Sequence, residues 1–305
     1  MSELVDVGAA EQPFCSVIIP TRHRPDALAR CLAALAALEY PGNLFEVIVV
    51  DDGGRTSLEP TLAPFRERLS VRLVQRPHGG AGSARNSAAA VARGQLLVLI
   101  DDDCLPEPTW LGELAKRGGG DPTCAVGGRT INALPGNPYS RVSQLVLDLV
   151  YAHYNADGER PHFFTSNNLA LPAGGYREVG GFDPDFPTAE DRDLCDRWLG
   201  FGNRMAYAPD AVVRHATDLS FTSFVRKHFR YGRGAFRFQA GGRSHRSRRR
   251  AVLGFYAALP RTMRRVPEAT SKDAALLVLW QIANASGFAW EALRSTSRAL
   301  TSRRS

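Results

Sequence analysis

Residues 96–103 read LLVLIDDD, so five apolar residues run straight into three adjacent aspartates. Like charges this close repel and resist burial, so either water or a bound cation must compensate them. A divalent ion such as Mg2+ takes oxygen ligands, is held by one or two carboxylates, and fills its other positions with water or substrate phosphate. Asp101 and Asp103, spaced D-x-D at the end of an apolar run, can project into one space across a turn. The plainer reading is an acidic turn capping the helix that begins near Pro106, since Asp suits helix starts. Three acids in succession are more than a cap needs, which favours the metal.

Other clusters carry weaker signals. In VIVVDDGG (47–54) an Asp-Gly turn after a strand is ordinary, although a carboxylate there can also accept from a base N–H or a ribose hydroxyl. The turn GGAGSARN (79–86) opens a helix whose backbone N–H groups, with Arg85, can meet phosphate. It lacks the third glycine and the position of the dinucleotide fingerprint. In TAEDRDLCDRW, Glu190 and Asp191 sit at a helix start, where acids are favourable in any case. One of them can also serve as a general base. Arg192 and Asp193 read as surface partners. His215 matters only if its strand ends beside the aspartates, where imidazole can complete a Mn2+ or Mg2+ site.

The surrounding pattern must position these groups. Apolar runs at 15–20, 44–50, 70–75 and 96–100 alternate with helical periodicity at 26–40 and 87–94. Strands apolar on both faces, alternating with helices, imply a mostly parallel, Rossmann-like sheet covered on both sides by helices. Ligands then bind outside the carboxyl ends of the strands, where Thr21-Arg22, Asp51-Asp52 and Asp101–Asp103 fall. Farther on, 163–172, RMAYAP and AVVRHAT read as strands and 189–202 as a helix. Beyond Leu219 the chain turns helical, with Phe221, Phe224, Val225 and His228 spaced for one face.

The composition suits a folded protein of 305 residues with net charge +7, and lysine occurs only at 116, 227 and 272. Arginine favours bidentate contact with phosphate or carboxylate. The basic charge concentrates after residue 226, which suggests an anionic partner. Five scattered cysteines without a CxxC pair argue against a disulfide framework or zinc site and for a reducing compartment. The first residues have no apolar signal core, and the apolar stretch from Asp273 is interrupted by Gln281, Asn284 and Ser286. The expected location is the cytoplasm, peripheral to the inner face of the membrane.

Taken in order, SVIIPTRHRPDALARCLAAL, VIVVDDGG, GGAGSARN, LLVLIDDD, SNNLALP, GGFDPDF and AEDRDLCDRW resemble the inverting family 2 glycosyltransferases of the A-type nucleotide-sugar fold. The resemblance covers residues 14 to about 235. It implies that Pro20, Thr21, Arg22 and Asp52 cradle the nucleoside, with Asp52 facing the base. Arg85 would lie near the nucleotide, Asp101 by the ribose with Asp102 beside it, and Asp103 on a divalent ion that His215 also reaches. Asp191 would be the catalytic base, supported by Glu190. The run D-D-D leaves open which carboxylates touch metal. The implied reaction is metal-dependent, inverting transfer from a nucleoside-diphosphate sugar, most commonly a UDP-sugar, to an acceptor hydroxyl on a lipid-linked, glycan or natural-product acceptor.

The expected organisation is a transferase domain at 14–238 and a helical, Arg-rich extension at 239–305, with 241–250 of linker composition and helical segments at 251–266 and 272–298. Its arginines read as a solvated face or as a surface for anionic membrane. The rival functions are a nucleic-acid-binding protein and a module that binds a sugar nucleotide without transferring it. The strand-end acids oppose the first, because they repel phosphates without an ion between. The EDRDLCDRW context opposes the second.

Overall fold

The computed structural model describes residues 12–240 and 270–302. The expected linker at 241–250 and helix at 251–266 lie outside the described residues. In chain order the elements are β1 (Cys15–Thr21), α1 (Pro25–Leu35), β2 (Phe45–Asp52), α2 (Glu59–Leu62), β3 (Val71–Arg76), α3 (Ala81–Ala89), β4 (Leu96–Ile100) and β5 (Cys104–Pro106). They continue with α4 (Trp110–Gly118), β6 (Cys124–Asn132), α5 (Pro138–Tyr154), β7 (Asn168–Pro172), α6 (Ala173–Glu178), α7 (Glu190–Gly200), β8 (Arg204–His215), α8 (Phe221–Ala240) and α9 (Ser271–Ser302).

All eight strands form one sheet in the order β3-β2-β1-β4-β7-β6-β8-β5. The first four strands pair in parallel, as the two-sided apolar character of β1, β2 and β4 requires, with the half-exposed β3 at the edge. The other half is mixed, with β7 antiparallel to both β4 and β6, β6 parallel to β8, and β5 antiparallel to β8. These directions bring the carboxyl ends of β1, β2, β4, β6 and β8 and the start of β7 to one edge. That edge is where the acids lie.

Side-chain alternation splits the core in two. Ile18, Ile48, Val50, Leu97 and Leu99 face the layer of α3, α5 and α7. Val17, Ile19, Val47, Val49 and Val98 face α1 and α4. Helix α1 starts at Pro25, which presets φ, and buries Leu28, Leu32 and Leu35 completely, each worth about 1.5–3 kcal/mol.

Several expected boundaries move. Only 168–172 of the run 163–172 is strand, because Asn155 and Tyr151 hold the backbone of Phe163 and Thr165 in a loop. RMAYAP and AVVRHAT form one strand, β8, with a register shift opposite Gly128 and Arg129. Asn168 fastens that irregularity by donating to the carbonyls of Arg129 and Ala211 and accepting from the Trp110 indole N–H. Helix α1 stops at Leu35, and α3 starts six residues before the expected 87.

Helix α9 packs on α8 and α5. The α8–α9 crossing is tight: a Cβ on Gly232 would lie 1.9 Å from the Asn284 carbonyl oxygen, and one on Gly287 would lie 1.9 Å from that of Phe229. Glu291, buried, takes both Arg233 and Arg237, and buried Asp273 takes Arg141 of α5 at 2.6 Å. On its other side α9 exposes Val278, Ile282, Trp290 and Leu293. No helix among the described residues is long and apolar enough to cross a membrane. All five cysteines are unpaired and buried.

Candidate active site

A cavity of about 1070 Å3 opens at the carboxyl edge of the sheet. Of the residues singled out by sequence, Pro20, Thr21, Arg22, Asp52, Arg85, Asp101, Asp102, Glu190, Asp191 and His215 line it. Asp103 sits just behind, with Arg24 in front of it.

Asp51 and Asp52 divide their work. Asp51 Oδ1 accepts from the Gly54 N–H at 2.7 Å and shapes the turn. Asp52 accepts from the backbone N–H groups of Gly79 and Gly80 at 2.9 and 2.8 Å, from Arg76 at 2.8 Å, and pairs with His78 Nδ1 at 2.7 Å. Burial opposes its ionisation, but these donors outweigh burial and hold the carboxyl below its ordinary value. Asp52 therefore organises the glycine turn as well as lining the cavity.

The three aspartates have different surroundings. Asp101 accepts from Arg85 Nη2 at 2.5 Å. Asp102, fully buried, accepts from the Thr21 hydroxyl at 2.7 Å and meets Arg24 Nη2 at 2.5 Å. Burial, only partly offset by Arg24 and Thr21, pushes its carboxyl up to about 6. Asp103 accepts from Arg24 Nη1 at 2.9 Å and faces His215 Nε2 at 3.2 Å. Burial works against its ionisation, yet His215 and Arg24 prevail and hold it well below the usual carboxylate range.

Asp103 and His215 can hold a divalent cation. Asp103 Oδ1 is buried and accepts no well-directed hydrogen bond, and the imidazole Nε2 beside it is a second donor atom. The Cys104 thiol lies within the same 4.8 Å grouping. It is fully buried, however, and burial raises it well above its ordinary value, so it stays protonated and is a poor match for a hard ion.

Glu190 and Asp191 open α7 directly after Ala189, a non-glycine residue held at φ 67°. Such backbone costs about 1–3 kcal/mol and gathers at functional sites. Burial and the adjacent Asp191 charge push Glu190 up to about 7, with Arg85 acting the other way. Burial also raises Asp191, opposed by Arg192. Beneath them Arg85, 2% exposed, lies over the Phe182 ring at 5.4 Å, and its Nε and Nη1 have no hydrogen-bond partner. Asn86 locks the two motifs together, donating to the Phe182 carbonyl and accepting from the Phe182 N–H. Gly181, at φ 64°, lets that contact close, since a Cβ there would lie 2.6 Å from Asn86 Oδ1. Asp193 pairs with Arg197, one turn on, instead of Arg192. Arg192 lies over the rings of Tyr154 and Phe163 at 5.1 and 5.5 Å.

Sequence reasoning missed Arg24, although it stands two residues beyond Arg22 in the loop after β1. It also missed Lys227 and Tyr231, which read as part of a basic surface. They line the cavity instead. Burial lowers Lys227 while Asp103 and Asp101 oppose that shift, and Tyr231, half exposed at the cavity mouth, is raised by its partial burial and by the charges of Asp191, Glu190 and Asp101. Helix α5 was passed over entirely, despite Asn137 capping the N–H groups of Tyr139 and Ser140 ahead of a periodic Val142, Val146, Leu149.

Residues 16–178 match the family model described as glycosyl transferase family 2. The chain belongs to glycosyltransferase family 2. Among curated members it is 30% identical over 227 residues to the pre-mycofactocin glycosyltransferase of Mycobacterium tuberculosis, covering 72% of this chain and 46% of that protein. It is 31% identical over 258 residues to the validoxylamine A glucosyltransferase of Streptomyces hygroscopicus subsp. limoneus, covering 71% of this chain and 57% of that one. The chain thus spans about half the length of these relatives. The fold matches mannosyltransferase PcManGT from Pyrobaculum calidifontis, in complex with GDP-Man and Mn2+, at a TM-score of 0.64 and 21% identity over 93% of this chain and 84% of that one. It matches S. aureus TarS 1-349 in complex with UDP-GlcNAc at a TM-score of 0.56 and 18% identity, over 88% and 79%. The sheet and its layers are therefore those of the A-type transferase fold.

Proposed function

We propose that this family member transfers a sugar, with inversion, from a nucleoside-diphosphate sugar to an acceptor hydroxyl. The observation that carries the reading is the convergence of Asp52, Arg85, Asp101, Asp191 and His215, from segments far apart in sequence, on one cavity. Solved neighbours of the same fold hold GDP-Man with Mn2+ and UDP-GlcNAc, which supports a nucleotide-sugar donor.

In this reading the loop Pro20–Arg22 and the turn organised by Asp52 receive the nucleoside. Arg85 holds Asp101 in place and keeps two buried donors for a phosphate or sugar oxygen. Asp103 and His215 would hold a divalent cation, Mn2+ or Mg2+, with the Arg24–Asp103 ion pair given up. When bound, such an ion stabilises the diphosphate leaving group as a Lewis acid. Asp191 takes the acceptor's hydroxyl proton while that oxygen forms its bond to the anomeric carbon. The bond from that carbon to the diphosphate oxygen breaks, and its electron pair leaves with the nucleotide. Attack and departure on opposite faces invert the configuration without a covalent intermediate. Burial raises the Asp191 carboxyl and so makes it a better proton acceptor, with Glu190 standing beside it.

The test is nucleotide release from a panel of UDP- and GDP-sugars with Mn2+, with and without candidate acceptors. Asp103→Ala and Asp191→Ala should each remove transfer from folded protein. Substantial transfer retained by both eliminates the assignment.

A further inference from the structure

The lining of the cavity includes a helical side, here called its helical compartment, that the donor reading leaves unused. Past the acids its walls are helical: Ser143, Val146, Leu147 and Val150 of α5, His228 of α8, and Trp280, Gln281 and Phe288 of α9. A single ligand pocket holds about 300–1,000 Å3, so about 1070 Å3 leaves room beside a donor. The compartment is largely apolar, but two buried polar atoms on residues lining it lack any partner. These are His228 Nδ1 and Gln281 Oε1. His228 is 1% exposed, with its Nε2 3.2 Å from the Ser143 hydroxyl and its ring against Phe224 and Trp280. Burial, with Lys227 beside it, pushes this imidazole down to about 3, so it is neutral. A buried neutral imidazole and an amide oxygen without partners are costly unless a ligand group meets them.

We propose that this compartment is the acceptor subsite and that it takes an uncharged amphiphile. The apolar body lies along Val146, Val150 and Phe288. Its polar groups meet His228 Nδ1 and Gln281 Oε1, and its free hydroxyl reaches Asp191. The proposal rests on the transferase reading. Of the charged side chains on the cavity wall, Lys227 stands by the aspartates, Arg192 lies over the Tyr154 and Phe163 rings, and Arg230 is exposed. The buried polar groups of the helical side, His228 and Gln281, are neutral, which favours a neutral partner over an anionic one. Helix α9 is a built wall here, because the Gly232 and Gly287 contacts and the Glu291 and Asp273 ion pairs fix it against α8 and α5.

The experiment uses the full chain with n-octyl β-D-glucoside, below its micellar concentration, as a neutral amphiphilic probe. Glucose lacks the apolar body, and octyl sulfate carries a charge. Binding is read by calorimetry, with UDP and GDP plus Mn2+ titrated into the same samples. The expected result is saturable octyl glucoside binding, with weaker binding of both comparison molecules. Gln281→Leu should weaken it about 3- to 10-fold, as one buried hydrogen bond is lost. Ala285→Phe, at an exposed position on the cavity wall, should weaken it about tenfold or more by filling space. Nucleotide binding without octyl glucoside binding overturns the acceptor assignment alone. So does octyl glucoside binding that ignores both substitutions, which would place it on the outer face of α9. Failure of every nucleotide to bind overturns the transferase reading beneath it.

Discussion

Replacing Gly232 with alanine tests whether the last helix is part of the working molecule. The new Cβ would lie 1.9 Å from the Asn284 carbonyl oxygen, 2.8 Å from its carbon and 3.0 Å from the Phe288 nitrogen. A comfortable C···O approach is about 3.3 Å, so the helices must separate by roughly 1.4 Å at the crossing. The obstacle is backbone of a packed helix, which cannot rotate aside. Overpacking of this kind costs about 1–3 kcal/mol, with the backbone clash placing Gly232→Ala near the top of that range. Alanine gains back about 1 kcal/mol of helix propensity. The net loss of about 2 kcal/mol corresponds to a Tm drop of roughly 3 °C for a protein of 305 residues. Gly174, in α6, has nothing within 4 Å of a built Cβ, so Gly174→Ala is the control, expected to be neutral or about 0.4–1 kcal/mol stabilising. Thermal unfolding followed by circular dichroism reads both. Equal melting of wild type and Gly232→Ala, within about 1 °C, would refute the close crossing.

Other consequences can be measured directly. Asp191→Asn should lower kcat about 100- to 10,000-fold while nucleotide binding survives, because a general base is removed and the nucleoside cradle is not. Transfer should rise with pH on the acid side of the profile, at a pH above the ordinary aspartate range, because burial raises the Asp191 carboxyl and the base works only when deprotonated. Glu190, pushed up to about 7, is neutral while Asp191 ionises, so Glu190→Gln should leave the rising limb of the pH–rate profile in place. A limb that moves to lower pH would show the two carboxyls titrating as one pair. The same raised pKa favours folding below about 4.5 and loses that benefit as pH climbs through about 7, so Glu190→Gln should gain stability relative to wild type at pH 8 over pH 5. Arg24→Ala uncovers Asp103, and Mn2+ titrated by calorimetry should bind more tightly than to wild type. Salt-sensitive flotation with anionic liposomes is expected from the arginines of 241–250 and the apolar side chains that α9 exposes, and no association removes the membrane from the reading.

The first half of the fold was legible because β1, β2 and β4 are apolar on both faces, and only a parallel sheet under two helical layers buries such strands. The acids were legible for the complementary reason, that a charge at the end of a buried strand has few uses. What lay beyond reading was partnership across the chain. Nothing local in TRHRP says that Arg24 reaches both Asp102 and Asp103, and nothing local to α8 says that Lys227 faces acids more than a hundred residues earlier. Asp193 shows the same limit at short range: two arginines flank it at Arg192 and Arg197, and only the burial of one helix face selects the second. Helix α9 read as an appendage because the use of Gly287, which lets it close on the Phe229 backbone of α8, shows only when the neighbouring helix is seen.

The turn at Gly79 and Gly80 is pinned by both oxygens of Asp52, with Arg76 and His78 closing the ring of donors. Its backbone is thus ordered at the moment of folding, and no entropy remains to be lost there when a nucleotide arrives. Affinity at this end of the crevice then reports contacts alone. An Asp52→Asn protein, with the tether loosened, would reveal the difference as slower, more enthalpic association at the same surface.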